Sequence, residues 1–332
     1  MRYRSIIIVL GLILIFYLLY SYTLLGNTIK IWDKAPHSAF TSLVYHDGRF
    51  YCCFREAGSH VDRNGTDNGK IRILYSKNAR KWKVLSTIEI DGFDLRDPQL
   101  SQTPDGKLML LMGRTQYRSG KAISVISVVS FMSNRKDNFS TPIPIKSSIA
   151  DNKNFWLWKV TWSKESAYGV IKVYPNDIYL LKSDNGIDYS VVTNIEIPGN
   201  PNETAISFTE NGNMQMVLRR DGMNAYLAES AYPFREQTLT ELNIEVGGPE
   251  LIVLSGNQIL FSSRDHSGNI KTSIYKLDNR QMVKLMTLPS GGDCSYPGMV
   301  IRKDKLYISY YSSHEGKTSI YISIIPISAL NM

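Results

Sequence analysis

Residues 39–56 read AFTSLVYHDGRFYCCFRE. An apolar run enters a polar turn at Asp47-Gly48, and a second apolar run leaves it to end on Arg55-Glu56. Two short runs around a Gly-containing turn make a β-hairpin. The pattern returns as DPQLSQTPDGKLMLLMGRT (97–115), ETAISFTENGNMQMVLRRD (203–221), PELIVLSGNQILFSSRD (249–265) and YPGMVIRKDKLYISYYSS (296–313), with a weaker copy, WLWKVTWSKESAYGVIKVYP, at 156–175. The copies begin near Ala39, Asp97, Trp156, Glu203, Pro249 and Tyr296, so the interval is about sixty residues early and about forty-six later.

Second halves recur too. IRILYSKNARKWKVL and IYLLKSDNGIDYSVV share a strand, Ser-x-Asn and a later aromatic, matching Ser76, Asn78 and Trp82 to Ser183, Asn185 and Tyr189. The Asn side chain can hold the turn through the local backbone, and the aromatic can fill the gap between neighbouring sheets. Four strands at this period make a propeller blade. Six units predict an all-β, six-bladed β-propeller over residues 28–330, with Thr28–Trp32 completing the last blade. A β-sandwich is the competing architecture, but it would not repeat one hairpin so faithfully.

The first 27 residues read differently. Arg2 and Arg4 precede an uncharged, apolar run from Ile6 to Leu25, long enough to span a bilayer as a helix. No small-x-small cleavage site follows it. The expectation is an uncleaved signal-anchor, basic end inside and propeller outside the cytoplasm; a cleaved signal peptide is the alternative. The net charge of +8 comes without a Lys/Arg-rich block, which argues against nucleic acid as a partner. Cys52 and Cys53 point to opposite faces of one strand, and with Cys294 they form no metal-binding spacing, so they read as buried thiols. Neither a metal nor a cofactor is expected.

A ring of blades brings the starts of its inner strands to one face. This groups Arg96, Asp97, Glu203, Glu250 and Tyr296, joined by Arg55, Arg114, Arg219 and Arg264 from the ends of second strands. The four last-named arginines follow their turn glycines by seven or eight residues. Converging guanidinium groups repel unless an anion or nearby carboxylates offset the charge, and their planar forks suit a carboxylate. A tyrosine here needs a base to act as a nucleophile, because phenol ionises near pH 10. Glu203 can supply it, and the arginines are expected to lower the Tyr296 pKa. Trp156, Trp158 and Trp162 offer either blade packing or a sugar platform. His60 and His314 read as polar loop residues.

These residues resemble the sialidase (neuraminidase) superfamily. Glu203 in NETAISFTENGNMQMVLRRDG, Arg219 sixteen residues on, Arg264 in ILFSSRD and Tyr296 in GDCSYPGMVIRKDKLYISYY keep the family's order and spacing. Arg55 in FYCCFREAGSHVD is similar to the arginine ending the family's first hairpin, and the two Ser-x-Asn turns resemble degenerate Asp-boxes. The resemblance covers residues 37 to 326. It implies a retaining exo-sialidase acting on sialylated or other acidic glycans, with Tyr296 as nucleophile, Glu203 as its base and Asp62 as acid/base, Asp67 being the alternative. It gives Arg219 and Arg264 the sugar carboxylate. The family's first-strand arginine is missing, since HSAFTSL (37–43) stands there; Arg55, Arg96 or Arg114 would have to substitute. A neutral tyrosine avoids the repulsion an Asp or Glu nucleophile would meet from that carboxylate.

Two other readings stay open. Arg96-Asp97-Pro98 resembles the motif of propeller furanosidases, which would pair Asp97 with Glu203 or Glu250 on a neutral or uronic sugar. The missing arginine also suits a carbohydrate-binding propeller without catalysis.

Overall fold

A computed structural model describes residues 27–61, 68–132 and 138–330. Six four-stranded antiparallel sheets follow one another along the chain. Their innermost strands are β2 (His37–His46), β6 (Asp94–Gln102), β10 (Phe155–Ser163), β14 (Pro201–Phe208), β18 (Glu250–Val253) and β22 (Cys294–Arg302). Each begins within a few residues of the start expected from the repeat. The fold is the six-bladed propeller.

Closure uses β1 (Thr28–Trp32), which pairs antiparallel with β24 (Ser319–Pro326), Thr28 opposite Ser323. The last blade is therefore built from both ends of the described chain, with β1 covering the edge that β24 would otherwise present. Trp32 clamps it by donating Nε1–H to Glu56 at 3.2 Å, with the Arg72 guanidinium over its ring. The apolar leader lies outside the described residues. Among the described residues, no helix is long and apolar enough to cross a membrane.

The core is a set of layers between adjacent blades. Cys52 faces the layer that joins the first and last blades, and Cys53 the layer between the first and second, as period-two alternation requires. Both are buried free thiols, as is Cys294. The two Ser-x-Asn turns close similarly: Asn78 Oδ1 accepts from the Arg80 and Lys81 amides, and Asn185 Oδ1 from the Ile187 and Asp188 amides, at 2.8–3.0 Å. Trp82 and Tyr189 then pack into inter-blade layers.

One irregularity recurs in every blade. Near the start of the inner strand, two residues face a single residue of the second strand. These pairs are Phe40-Thr41 against Phe54, Asp97-Pro98 against Met112, and Trp158-Lys159 against Val170. Asn202-Glu203 against Arg219 and Tyr296-Pro297 against Tyr310 follow. The fifth blade repeats it just ahead of its strand: Arg264 N–H binds Gly247 O while Glu250 pairs with Ser262, so Gly248-Pro249 face Ser263. A β-bulge re-aims side chains and sharpens local twist. Phe40, Asp97, Gly248 and Tyr296 accordingly have left-handed φ values of 61°, 48°, 59° and 50°. Such conformations cost on the order of 1–3 kcal/mol in a residue with a side chain and persist only where the surroundings hold them.

Candidate active site

The six bulges converge, and Tyr296 stands where they meet. Its ring packs edge-on against Phe40 at 4.9 Å and Trp158 at 6.3 Å between centroids. Its hydroxyl donates a short hydrogen bond to Glu203 Oε1. Glu203 Oε2 accepts from Arg219 Nη1 at 2.6 Å and from Gly248 N–H at 2.8 Å. Arg219 Nη1 is also 3.3 Å from the Tyr296 hydroxyl, and the Arg264 guanidinium lies 5.7 Å from the ring centre. Glu203, Arg219, Arg264 and Tyr296, drawn from three blades, are thus brought together.

Burial pushes the Glu203 carboxyl up, but Arg219, the Tyr296 hydroxyl and the Gly248 amide outweigh it and hold Glu203 below its ordinary value. Tyr296 moves the other way. Burial and then Glu203 raise it well above 10, and Arg219 and Arg264 only partly offset this. The expected lowering by arginines is therefore overturned by desolvation. The resting pair is carboxylate plus neutral phenol, the state from which Glu203 can accept the proton.

Beside Tyr296 opens a pocket of about 220 Å³ lined by Phe40, His60, Arg96, Asp97, Trp156 and Tyr174, among others. Burial pushes the Asp97 carboxyl up to about 6 against the pull of Arg96, with Glu203 adding to the rise. Arg96 donates to the His60 carbonyl at 2.8 Å and to Asp94 at 3.2 Å. Its guanidinium lies 5.0 Å over the Phe40 ring. Phe40 holds the bulge position of the first blade, within the HSAFTSL stretch that lacks the arginine. Arg96 thus reaches over the aromatic that stands there.

The other arginines separate. Arg55 is fully buried, with Nε and Nη2 on the two Asp94 oxygens at 2.7 and 3.0 Å and Nη1 on the Ser59 carbonyl. Arg114 lies over Phe93 at 4.6 Å and does not line the pocket. The four are not in register. Arg55 and Arg264 stand opposite the residue before their bulge, Arg114 is one residue further along, and Arg219 is opposite the bulge itself. A count of seven or eight conceals these offsets, and register by itself does not sort the arginines: Arg55 and Arg264 share one, yet only Arg264 stands beside Tyr296. Glu250, also expected here, is paired with Lys159 of the third blade. Asp62 and Asp67 lie outside the described residues. Of the tryptophans, Trp156 lines the pocket, Trp158 supports Tyr296, and Trp162 packs between the second and third blades.

A second cluster escaped the sequence reading. Asp293 Oδ2 lies 2.8 Å from His37 Nε2 and 2.8 Å from His60 Nδ1, and Asp293 Oδ1 accepts from the Tyr311 hydroxyl at 2.9 Å. Arg264 donates to that hydroxyl at 2.9 Å and to the Cys294 carbonyl at 3.0 Å. Burial pushes Asp293 up, but hydrogen bonds from His37 and His60, with Tyr311, hold it well below the usual carboxylate range. The donor atoms of His37, His60 and Asp293 lie within 4.8 Å of one another. Both imidazoles nevertheless aim at one oxygen at hydrogen-bond distance, and Arg264 adds positive charge 3.8 Å from Asp293. The arrangement is a hydrogen-bonded triad and a poor place for a dication. The only sequence hint was Asp293 in GGDCSY, three residues before Tyr296.

A larger open cleft, about 870 Å³, lies at the far end of the second and third blades around Thr103, Phe131 and Trp162. It is remote from Tyr296 and gathers no comparable set of groups.

The fold is sialidase-like. Trypanosoma rangeli sialidase with 2,3-difluorosialic acid (a covalent intermediate) superposes with a TM-score of 0.67 at 12% identity, over 92% of this chain and 57% of that one. A Hadza microbial sialidase gives 0.68 at 13%, over 89% and 66%. A Dyadobacter fermentans protein of unknown function gives 0.74 at 17%, over 90% and 99%. The chain therefore spans a little over half the length of the trypanosomal enzyme. No family model and no curated protein matches the sequence.

Proposed function

We propose that the protein is a retaining exo-glycosidase of sialidase type that releases a terminal acidic sugar, sialic acid, from glycoconjugates. The observation that carries this is the Tyr296–Glu203 hydrogen bond with Arg219 touching both partners. Glu203 takes the phenolic proton as Tyr296 attacks the anomeric carbon. Because Tyr296 is neutral at rest, it approaches a carboxylate-bearing carbon without charge repulsion. Arg219 and Arg264, beside Tyr296, hold the sugar carboxylate, and Arg96 is the arginine that lines the adjoining pocket. Arg55, its fork committed to Asp94, and Arg114, over Phe93, serve the blades. The proton donor stands on the loop after Arg55, which carries His60, Asp62 and Asp67. The Trypanosoma rangeli sialidase of like fold is described in complex with sialic acid and with its difluoro analogue. The apolar leader supports export, with the propeller tethered outside the cytoplasm.

The test is release of free sugar from a fluorogenic sialoside, with Tyr296→Phe as control. Turnover by the wild type and a loss of at least a thousandfold in the variant is the expected result. Equal turnover would reject the mechanism. Retained binding on a glycan array without turnover by either protein would favour a carbohydrate-binding propeller. Turnover lost in Asp97→Asn and kept in Tyr296→Phe would favour the carboxylate-pair reading.

A further inference from the structure

The loop after Arg55 brings an imidazole to the pocket. His60 lines it together with Tyr296 and Asp97. Its ring stands edge-on to Phe40 at 5.2 Å, and Phe40 in turn contacts Tyr296. The side chain is 46% exposed, so a ligand can reach it. Nδ1 is taken by Asp293 at 2.8 Å. Against an ionised carboxylate, Nδ1 carries a proton, and Nε2 on the other side of the ring is left to exchange one with a ligand. Asp293 is itself held by His37 and Tyr311. It orients the ring, as the carboxylate does in a Ser-His-Asp triad.

We infer that His60, oriented by Asp293, is the general acid–base group of this site, in the role that the family resemblance would give to Asp62. The inference rests on the Tyr296 reaction proposed above. The proton balance closes. In the first step the Tyr296 oxygen bonds to the anomeric carbon and its proton passes to Glu203. The bond to the leaving oxygen breaks with its electron pair, and that oxygen takes a proton from His60 Nε2. In the second step water gives a proton to the now neutral Nε2 while its oxygen bonds to the anomeric carbon. The bond to Tyr296 breaks, and the phenolate regains its proton from Glu203. Water has been added across one glycosidic bond, and every group is restored. Among the described residues, the charged and titratable groups around His60 include Asp293, His37, Arg96 and Asp97, with Arg264 beyond Asp293.

The experiment compares two sialosides, one with a 4-methylumbelliferyl leaving group and one with a sugar leaving group (sialyllactose). An aryl oxide departs without protonation, whereas a sugar alkoxide needs it. In the full chain, His60→Ala is expected to lose at least a hundredfold in kcat/KM on sialyllactose and less than tenfold on the aryl sialoside, with added imidazole restoring part of the loss. Asp293→Asn is expected to show the same split more weakly. A structural role would depress both substrates equally, and that result overturns the inference. So does a split that appears in Asp62→Asn and not in His60→Ala. In either of those cases loss of both activities in Tyr296→Phe leaves the sialidase reading standing. If the wild type turns over neither substrate, both proposals fall.

Discussion

Gly248 lies so close beneath Tyr296 that a Cβ at position 248 would stand 2.5 Å from the Tyr296 Cγ. Its φ of 59° is also unsuited to a side chain. Two neighbouring bulges therefore interlock, one giving up its side chain to the ring of the other. The Gly248 amide meanwhile donates to Glu203. Gly248→Ala is expected to push the phenol off Glu203. Loss of activity should exceed a hundredfold while destabilisation stays near 1–3 kcal/mol. Steady-state kinetics with urea denaturation checks this; unchanged kcat/KM would contradict it.

Arg55 and Asp94 form a buried ion pair that joins the first and second blades. Removing Asp94 leaves the buried Arg55 guanidinium without a carboxylate, so Asp94→Leu should cost about 3–5 kcal/mol, and Arg55→Met should cost less because Arg96 still reaches Asp94. The double variant should recover much of that loss. A double-mutant cycle by urea unfolding reads the coupling, and additive losses would show the pair to be independent.

Asp97 titrates near 6 in the folded protein, above its ordinary 3.8. The native state then binds more protons than the unfolded chain between about pH 4 and 6. Its contribution is fully present below pH 4 and is lost as pH rises through 6, a change on the order of 3 kcal/mol. Asp97→Asn removes this titration. The stability of wild type minus that of the variant should fall across this window, measured by urea unfolding at pH 4.5 and 7.5. A constant difference would rule out the shift.

Arg219 and Arg264 differ in their commitments. Arg219 bridges Glu203 and Asp221, so Arg219→Lys should lower kcat as well as raise KM. Arg264 touches Tyr311 and a carbonyl but not Glu203, so Arg264→Lys should act mainly on KM. Each change should amount to about tenfold or more, as the loss of a charge-assisted fork implies. Identical effects on both constants would contradict the distinction.

The blades and the core were legible in the sequence because each hairpin carries its own apolar alternation and turn. Glu203, Arg219, Arg264 and Tyr296 were legible because their order along the chain follows the order of the blades. Arg114 misled because counting from a turn glycine is blind to a one-residue offset on the strand, and Arg55, which shares the register of Arg264, misled because Asp94 of the next blade takes its fork. Asp293 and His37 were invisible: one precedes a strand and the other opens one, and neither stands in a recurring motif.

The amino-acid sequence by itself determined the ring, since a period of similar hairpins can bury its faces only by stacking each against the next. Tertiary structure alone decided what stands at the centre. Six bulges turn particular side chains toward one another, Arg96 reaches over the Phe40 ring, and two histidines meet on Asp293 across more than 230 residues of chain. Contacts of that kind depend on distances across the ring, which local patterning does not encode.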